Sequence, residues 1–207
     1  MPGISTYIHI KNNKIFLDGD MVYENHDDVD LKSFSVKAFK HFRIKYPKFY
    51  KMDEISRLGF LAAELLLRST DKEKLSENVG IVLSNAQSTL VTDSTFQQSI
   101  NNANEFFPSP SVFVYTLPNI MIGEISIRHK FSGENAFFIF DRFNASFIAD
   151  YINLLFSNKK INSCLGGWVE QSKNDYEAFI YLATNEQNRS TLADHSGKDV
   201  RKLFELT

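Results

Sequence analysis

A chain of 207 residues can bury a full core without disulfides or a structural metal, and 43% hydrophobic with 23% charged residues is the balance of an ordinary soluble globular protein. A net charge of −2 argues against nucleic acid as a main partner, because phosphate binding needs a basic field. A single cysteine suits a reducing compartment. No apolar run nears the roughly 20 residues that span a bilayer, and Met1 to Ile10 lacks a basic segment followed by an apolar one, so the expected location is the cytoplasm, without membrane attachment.

Ile4 to Ile10 alternates and carries β-branched residues, and Lys14 to Leu17 follows across Asn12-Asn13, which predicts a hairpin or two short strands. His26 to Asp30 is acidic and reads as a loop or a helix start. Leu31 to Phe42 has the spacing of a short amphipathic helix, closed by Tyr46-Pro47. Asp53 to Arg68 is the clearest helix, with Asp53 as N-cap and Ile55, Leu58, Leu61, Ala62, Leu65 and Leu66 on one face. Asn78 to Asn85 predicts a buried strand and Thr92 to Asn101 a helix.

Pro108 and Pro110 predict extended chain over Phe106 to Tyr115. Pro118 opens a helix running to about His129, Gly133 closes it, and Ala136 to Phe140 reads as a buried strand. A helix over Asn144 to Phe156 and strands over Asn162 to Glu170 and Tyr176 to Thr184 follow, the last two joined by a turn at Lys173-Asn174-Asp175. Asn185 to Thr207 reads as a polar tail with one apolar patch at Val200 to Leu206. This order of elements predicts a single α/β domain, a mixed five-stranded sheet with helices on its faces.

Four segments in the right order resemble the N-terminal half of the β-ketoacyl synthase family. They are Met52-Asp-Glu-Ile-Ser-Arg-Leu-Gly-Phe-Leu-Ala-Ala-Glu64, Asn78-Val-Gly-Ile-Val-Leu-Ser84, Tyr115-Thr-Leu-Pro-Asn119 with Gly123, Ile127-Arg-His129 and Gly133, and Cys164-Leu-Gly-Gly-Trp-Val-Glu170. The resemblance covers residues 50 to 185 and implies one half of a thiolase fold. In that family a second half supplies two catalytic histidines or their equivalents, and this chain is expected to lack it. Counting from Gly133 places the family's nucleophilic cysteine near Arg142, with Phe143 beside it. Neither can form a thioester, since arginine is permanently charged and phenylalanine has no nucleophilic atom.

The resemblance therefore implies a subunit without catalytic activity of its own, like the chain-length factors that pair with active ketosynthases in polyketide, polyene-type or fatty-acid assembly. Its partners would be a ketosynthase subunit or a second copy of itself, with an acyl carrier protein as a further partner. In the family the segment matching Phe107, Val112, Phe113 and Tyr115 lies at the dimer interface and lines the partner's acyl tunnel. Plain core is the alternative for these rings. Asp141 and Arg142 form either a local ion pair or the lining of the vacant nucleophile site.

Competing readings rest on other residues. Cys164 or Ser146 could serve an acyltransferase or thioesterase, although Cys164 falls in a buried strand and Ser146 lacks a Gly-x-Ser-x-Gly elbow. A stand-alone acyl-binding scaffold is a third reading. His129 sits at a helix end, and His9, His26, His41 and His195 lack ligand spacing, so neither metal nor cofactor is expected. The basic stretch Lys37, Lys40, Arg43, Lys45, Lys48 and Lys51 is solvated surface or a carrier-protein docking face.

Overall fold

A computed structural model describes residues 2–27, 30–70, 75, 78–101, 108–173, 175–185 and 191–206. The strands are β1 (Gly3–Lys11), β2 (Lys14–Leu17), β3 (Asp20–Glu24), β4 (Val79–Asn85), β5 (Asn135–Ile139), β6 (Ser163–Gln171), β7 (Tyr176–Thr184) and β8 (Ala193–Asp194). They form one sheet in the order β3-β2-β1-β7-β6-β4-β5, with β8 paired to β1. β4 runs parallel to β5 and β6, and every other pairing is antiparallel. The helices are α1 (Leu31–His41), α2 (Glu54–Ser69), α3 (Leu90–Ile100), α4 (Pro110–Val114), α5 (Ile120–His129), α6 (Ala145–Ser157) and α7 (Gly197–Glu205), with a 3-10 turn at Pro47–Lys51.

Alternation along the central strands sends neighbouring residues to opposite faces. Ala178, Ile180 and Leu182 of β7 pack with α1, α2 and α5, while Phe179, Tyr181 and Ala183 pack with α6 and α7. The sheet is thus covered on both sides, which explains why β4 is buried at every position and reads as a continuous apolar run. Among the described residues no helix is long and apolar enough to cross a membrane.

Among the described residues the sheet has eight strands, not the expected five. β3 lies on the outer edge with Asp20, Met21 and Val22 exposed, so it carries no apolar alternation to read. β8 is two residues long and pairs with Gly3 and Ile4. The polar tail contains α7, capped by the Ser196 hydroxyl, which accepts the Asp199 N–H; only Val200 and Leu203 of this helix are buried. Phe106 to Tyr115 is not uniformly extended, because Pro110–Val114 forms a short helix. Pro110 occupies its first turn, where a missing N–H costs nothing, and the Ser109 hydroxyl accepts the Val112 N–H. Phe106 and Phe107 lie outside the described residues.

The C-terminal segment is fastened by His195, which is buried between α6 and β7. Its Nδ1 lies 2.8 Å from Asn153 Oδ1 and its Nε2 lies 3.2 Å from the Tyr181 hydroxyl, while Asn153 Nδ2 donates to the His195 carbonyl. A neutral ring donating from Nδ1 and accepting at Nε2 satisfies both contacts. Burial pushes the imidazole down from 6.5 to about 4.

The unfolded chain takes up this proton near pH 6.5 and the folded one only near 4. The contribution of His195 to stability is therefore complete above pH 6.5 and falls by about 1.4 kcal/mol per unit as the pH drops towards 4. Urea titrations at several pH values should show this slope in the native chain, and in a His195→Gln variant it should flatten by about one proton.

Candidate functional site

The site begins with an acid placed deep inside the protein. Glu64, on α2, is fully buried. Its carboxylate accepts two bonds from Arg128 at 2.9 Å each and one from Arg68 at 3.0 Å, and His129 Nε2 lies 3.2 Å away. Burial alone would raise this carboxyl, but the hydrogen bonds and charges of His129 and Arg128 outweigh it and hold it well below the usual carboxylate range. Arg128 also lies over the Tyr46 ring, 5.0 Å from its centre. The cluster joins α5 to α2 where Gly59 leaves room for Met121.

From α5 the chain turns through Lys130, whose φ of 58° is left-handed, to Gly133. A Cβ on Gly133 would stand 2.5 Å from the Val79 carbonyl oxygen, so only glycine lets the chain enter β5 this close to β4. β5 then runs in register with β4 from Ile81/Asn135 to Asn85/Ile139. Glu170, at the end of β6, holds the loop after β4 by accepting the N–H groups of Ala86 at 2.5 Å and Gln87 at 3.3 Å.

β5 feeds the turn Phe140 to Asn144. Phe140 N–H bonds the Asn85 carbonyl at 2.9 Å, and the Asn144 side chain caps α6 by accepting the Phe147 N–H. Phe143 anchors the turn, its ring lying 4.9 Å from Phe204 of α7, 5.8 Å from Phe179 and 6.0 Å from Trp168. Asp141 and Arg142 stay exposed and, with Arg201 of α7, line a cavity of about 280 Å³. No ion pair joins Asp141 to Arg142 among the described residues. Nothing lining this cavity carries a thiol or a hydroxyl.

Neither Cys164 nor Ser146 lines it. Cys164 is fully buried among the side chains that face α6, and burial pushes its thiol far above the ordinary range, which denies it the thiolate a nucleophile needs. Ser146 lies against the first residue of α7, where a Cβ on Gly197 would meet its Oγ at 2.8 Å. No hydrogen bond joins it to a histidine among the described residues. His129 is part of the Glu64 cluster.

The aromatic segment divides. Phe113 and Val114 of α4 are exposed, as is Leu117 beyond it, and Phe113 touches the Phe96 ring at 5.3 Å. Tyr115 turns inward, with its hydroxyl donating to Glu124 at 3.0 Å. Val112 lines a second cleft between α2, α3 and α4. In the basic stretch, Lys37 pairs with Asp27 and Lys48 with the buried Glu124 at 2.9 Å. Residue types alone do not signal the Glu64 cluster, because Glu64 and Arg128 stand 64 positions apart. The one hint was an acid in the apolar run of α2 with a basic Arg128-His129 pair later in the chain.

No family model and no curated protein matches this sequence. Solved structures do. The chain superposes with a TM-score of 0.64 on the ishigamide ketosynthase/chain length factor at 15% identity, over 93% of this chain and 64% of that one. It superposes at 0.59 and 16% identity on a type II polyketide synthase acyl-carrier protein in complex with its ketosynthase, over 89% of this chain and 62% of that one. A ketosynthase in complex with its chain length factor from Xenorhabdus doucetiae matches at 0.59 and 12% identity, over 97% of this chain and 90% of the matched one. The chain thus spans less than two thirds of the first two, and it has the thiolase-like fold that these structures share.

Two measurements check the interior. Glu64→Gln should lower stability by roughly 2–3 kcal/mol in urea unfolding, less than loss of a fully enclosed pair because Arg68 and Arg128 can turn to water. Iodoacetamide should leave Cys164 unmodified in the native protein and label it fully in urea, as read by intact mass.

Proposed function

We propose that this chain is a non-catalytic ketosynthase-like subunit that pairs with an active ketosynthase and acts as its chain-length factor in polyketide, polyene-type or fatty-acid biosynthesis. The observation that carries the reading is the turn after β5. In this fold it would present the acyl-accepting cysteine, and here it presents Arg142 and Phe143 in the lining of a cavity without a thiol or a hydroxyl. A permanently charged guanidinium can neither accept an acyl group nor exchange a proton near neutral pH.

Two features of the surface support a partner. β5 ends the sheet order, so one edge of its backbone has no ladder partner among the described strands. Such an edge invites strand addition. Beside it Ile139 is half exposed, and Phe147, packed on Phe138 and Phe140, is also exposed. α4 presents Phe113, and Val114 and Leu117 add apolar surface of the kind that protein contacts cover.

In the proposed mechanism, Phe113 enters the partner's acyl tunnel and limits chain growth sterically, with Val112 behind it. Phe107 belongs to the same proposed interface. Tyr115 supports α4 from within through Glu124. The matched complexes contain, in one case, a ketosynthase with its chain length factor and, in another, an acyl-carrier protein with its ketosynthase. We extend both partnerships to this chain as proposals, together with a cytoplasmic location.

Coexpression with a ketosynthase encoded beside it should yield a hetero-oligomer by sizing, and Ile139→Asp should weaken it at least tenfold by disrupting the edge contact. Phe113→Ala should lengthen the product while the complex persists. A stable monomer without affinity for any ketosynthase, or a covalent acyl adduct on this chain after exposure to acyl-carrier thioesters, would sink the reading.

A further inference from the structure

The cleft between the start of α2, α3 and α4 has a volume of about 250 Å³ and a lining of unusual balance. Arg57 is its most constrained member, only 9% exposed. Its Nε donates to the Phe49 carbonyl at 3.2 Å and its Nη2 to the Tyr50 carbonyl at 2.8 Å, and the guanidinium lies 5.8 Å from the centre of the Phe49 ring. These contacts fix the group without neutralising it, because carbonyls bring no charge. Lys32 and Lys51 also line the cleft, and neither forms an ion pair among the described residues.

Two acids share the lining, but their hydrogen-bonding capacity is turned elsewhere. Asp53 accepts the Ser56 N–H at 3.1 Å and the Thr92 hydroxyl at 2.6 Å, and Glu54 accepts Gln171 Nε2 at 2.9 Å. Three cations thus face two committed carboxylates. A monoanion balances that count, whereas a dianion would be repelled by Asp53 and Glu54. The remaining walls are the apolar Met52, Val91 and Val112 together with Thr92, Thr95, Ser111 and Tyr115, whose hydroxyls already bond Asp53, the Val91 carbonyl, Ser109 and Glu124. The volume equals that of about eight water molecules, room for roughly ten non-hydrogen atoms.

We infer that this cleft binds a medium-chain carboxylate, with the carboxylate held by Arg57, Lys51 and Lys32 and the alkyl chain laid against Met52, Val91 and Val112. Guanidinium and carboxylate match in geometry as well as charge, and Arg57 is already oriented by its carbonyl contacts. The site is built within one chain and does not rest on the ketosynthase-partner reading.

Isothermal titration calorimetry on the purified chain tests it with three probes: octanoate, octanol and inorganic phosphate. Octanoate should bind at one site, octanol at least tenfold more weakly for want of the charge, and phosphate without measurable heat for want of the chain. Lys32→Gln and Lys51→Gln should each weaken octanoate about threefold, and the double variant about tenfold, while the distant Lys160→Gln leaves it unchanged. Arg57→Lys should cost about tenfold, with an unchanged circular dichroism spectrum showing that the fold survives. Octanol or phosphate binding as tightly as octanoate, no octanoate binding at millimolar concentration, or an unaltered affinity in the double lysine variant would overturn the assignment.

Discussion

The carboxylate of Glu64 sits where an uncompensated charge is most costly, and the chain surrounds it with Arg68, Arg128 and His129. These groups arrive from two helices, so the acid joins α2 to α5 by charge while Met121 packs beside Gly59 by shape. That junction sets where α5 ends. The end of α5 sets where Gly133 meets β4, and Gly133 sets the register in which β5 delivers its turn. Each step is a contact between backbone or buried charge, which leaves little freedom for the position of Asp141 and Arg142.

On the other face of the sheet, aromatic packing does the corresponding work. Phe143 is gripped by Phe204, Phe179 and Trp168, and Phe204 stacks on His9, which pairs with Glu177 at 2.8 Å. The C-terminal helix therefore reaches across the sheet to hold the turn. His195 fastens the segment that precedes it. A turn held by α7 on one side and by the β4 loop on the other is a rigid presentation of two charged side chains, not a mobile loop.

Local signals in the sequence carried much of this. Asp53 caps α2 through the Ser56 N–H, the apolar spacing behind it is helical, and continuous apolar runs mark the strands buried on both faces. Gly133 reads as the residue that closes α5, but Lys130 caps that helix and Gly133 serves the close approach to β4, while the turn at Arg142 is placed by the resemblance alone. What failed to show depends on partners remote in sequence. Edge strand β3 is exposed and lacks alternation, and α7 shows only Val200, Leu203 and Phe204 against a polar background. Pro108 and Pro110 predict extended chain, yet proline after a Ser cap starts a helix equally well. Tyr115 reads as a ring like Phe107 and Phe113, and only Glu124 shows that it points inward.

A site of this shape limits the chemistry open to it. Acyl transfer needs a nucleophile, a base to activate it and donors for the oxyanion. The cavity after β5 is lined by Arg142, Arg201, Asp141, Asn144 and two phenylalanines, which include no activatable oxygen or sulfur nucleophile of the acyl-transfer kind and no histidine. The chain's sole thiol is sealed under α6 on β6, so relocating the chemistry would require unpacking the core. At this cavity the lining offers binding and shape. Shape alters a reaction only where the reacting chain passes, and the exposed side chains that could meet such a chain, Phe113 foremost, stand on the outside of α4. That placement supports the proposed function: a surface ring can restrict growth in a neighbour's tunnel, and a buried one could not.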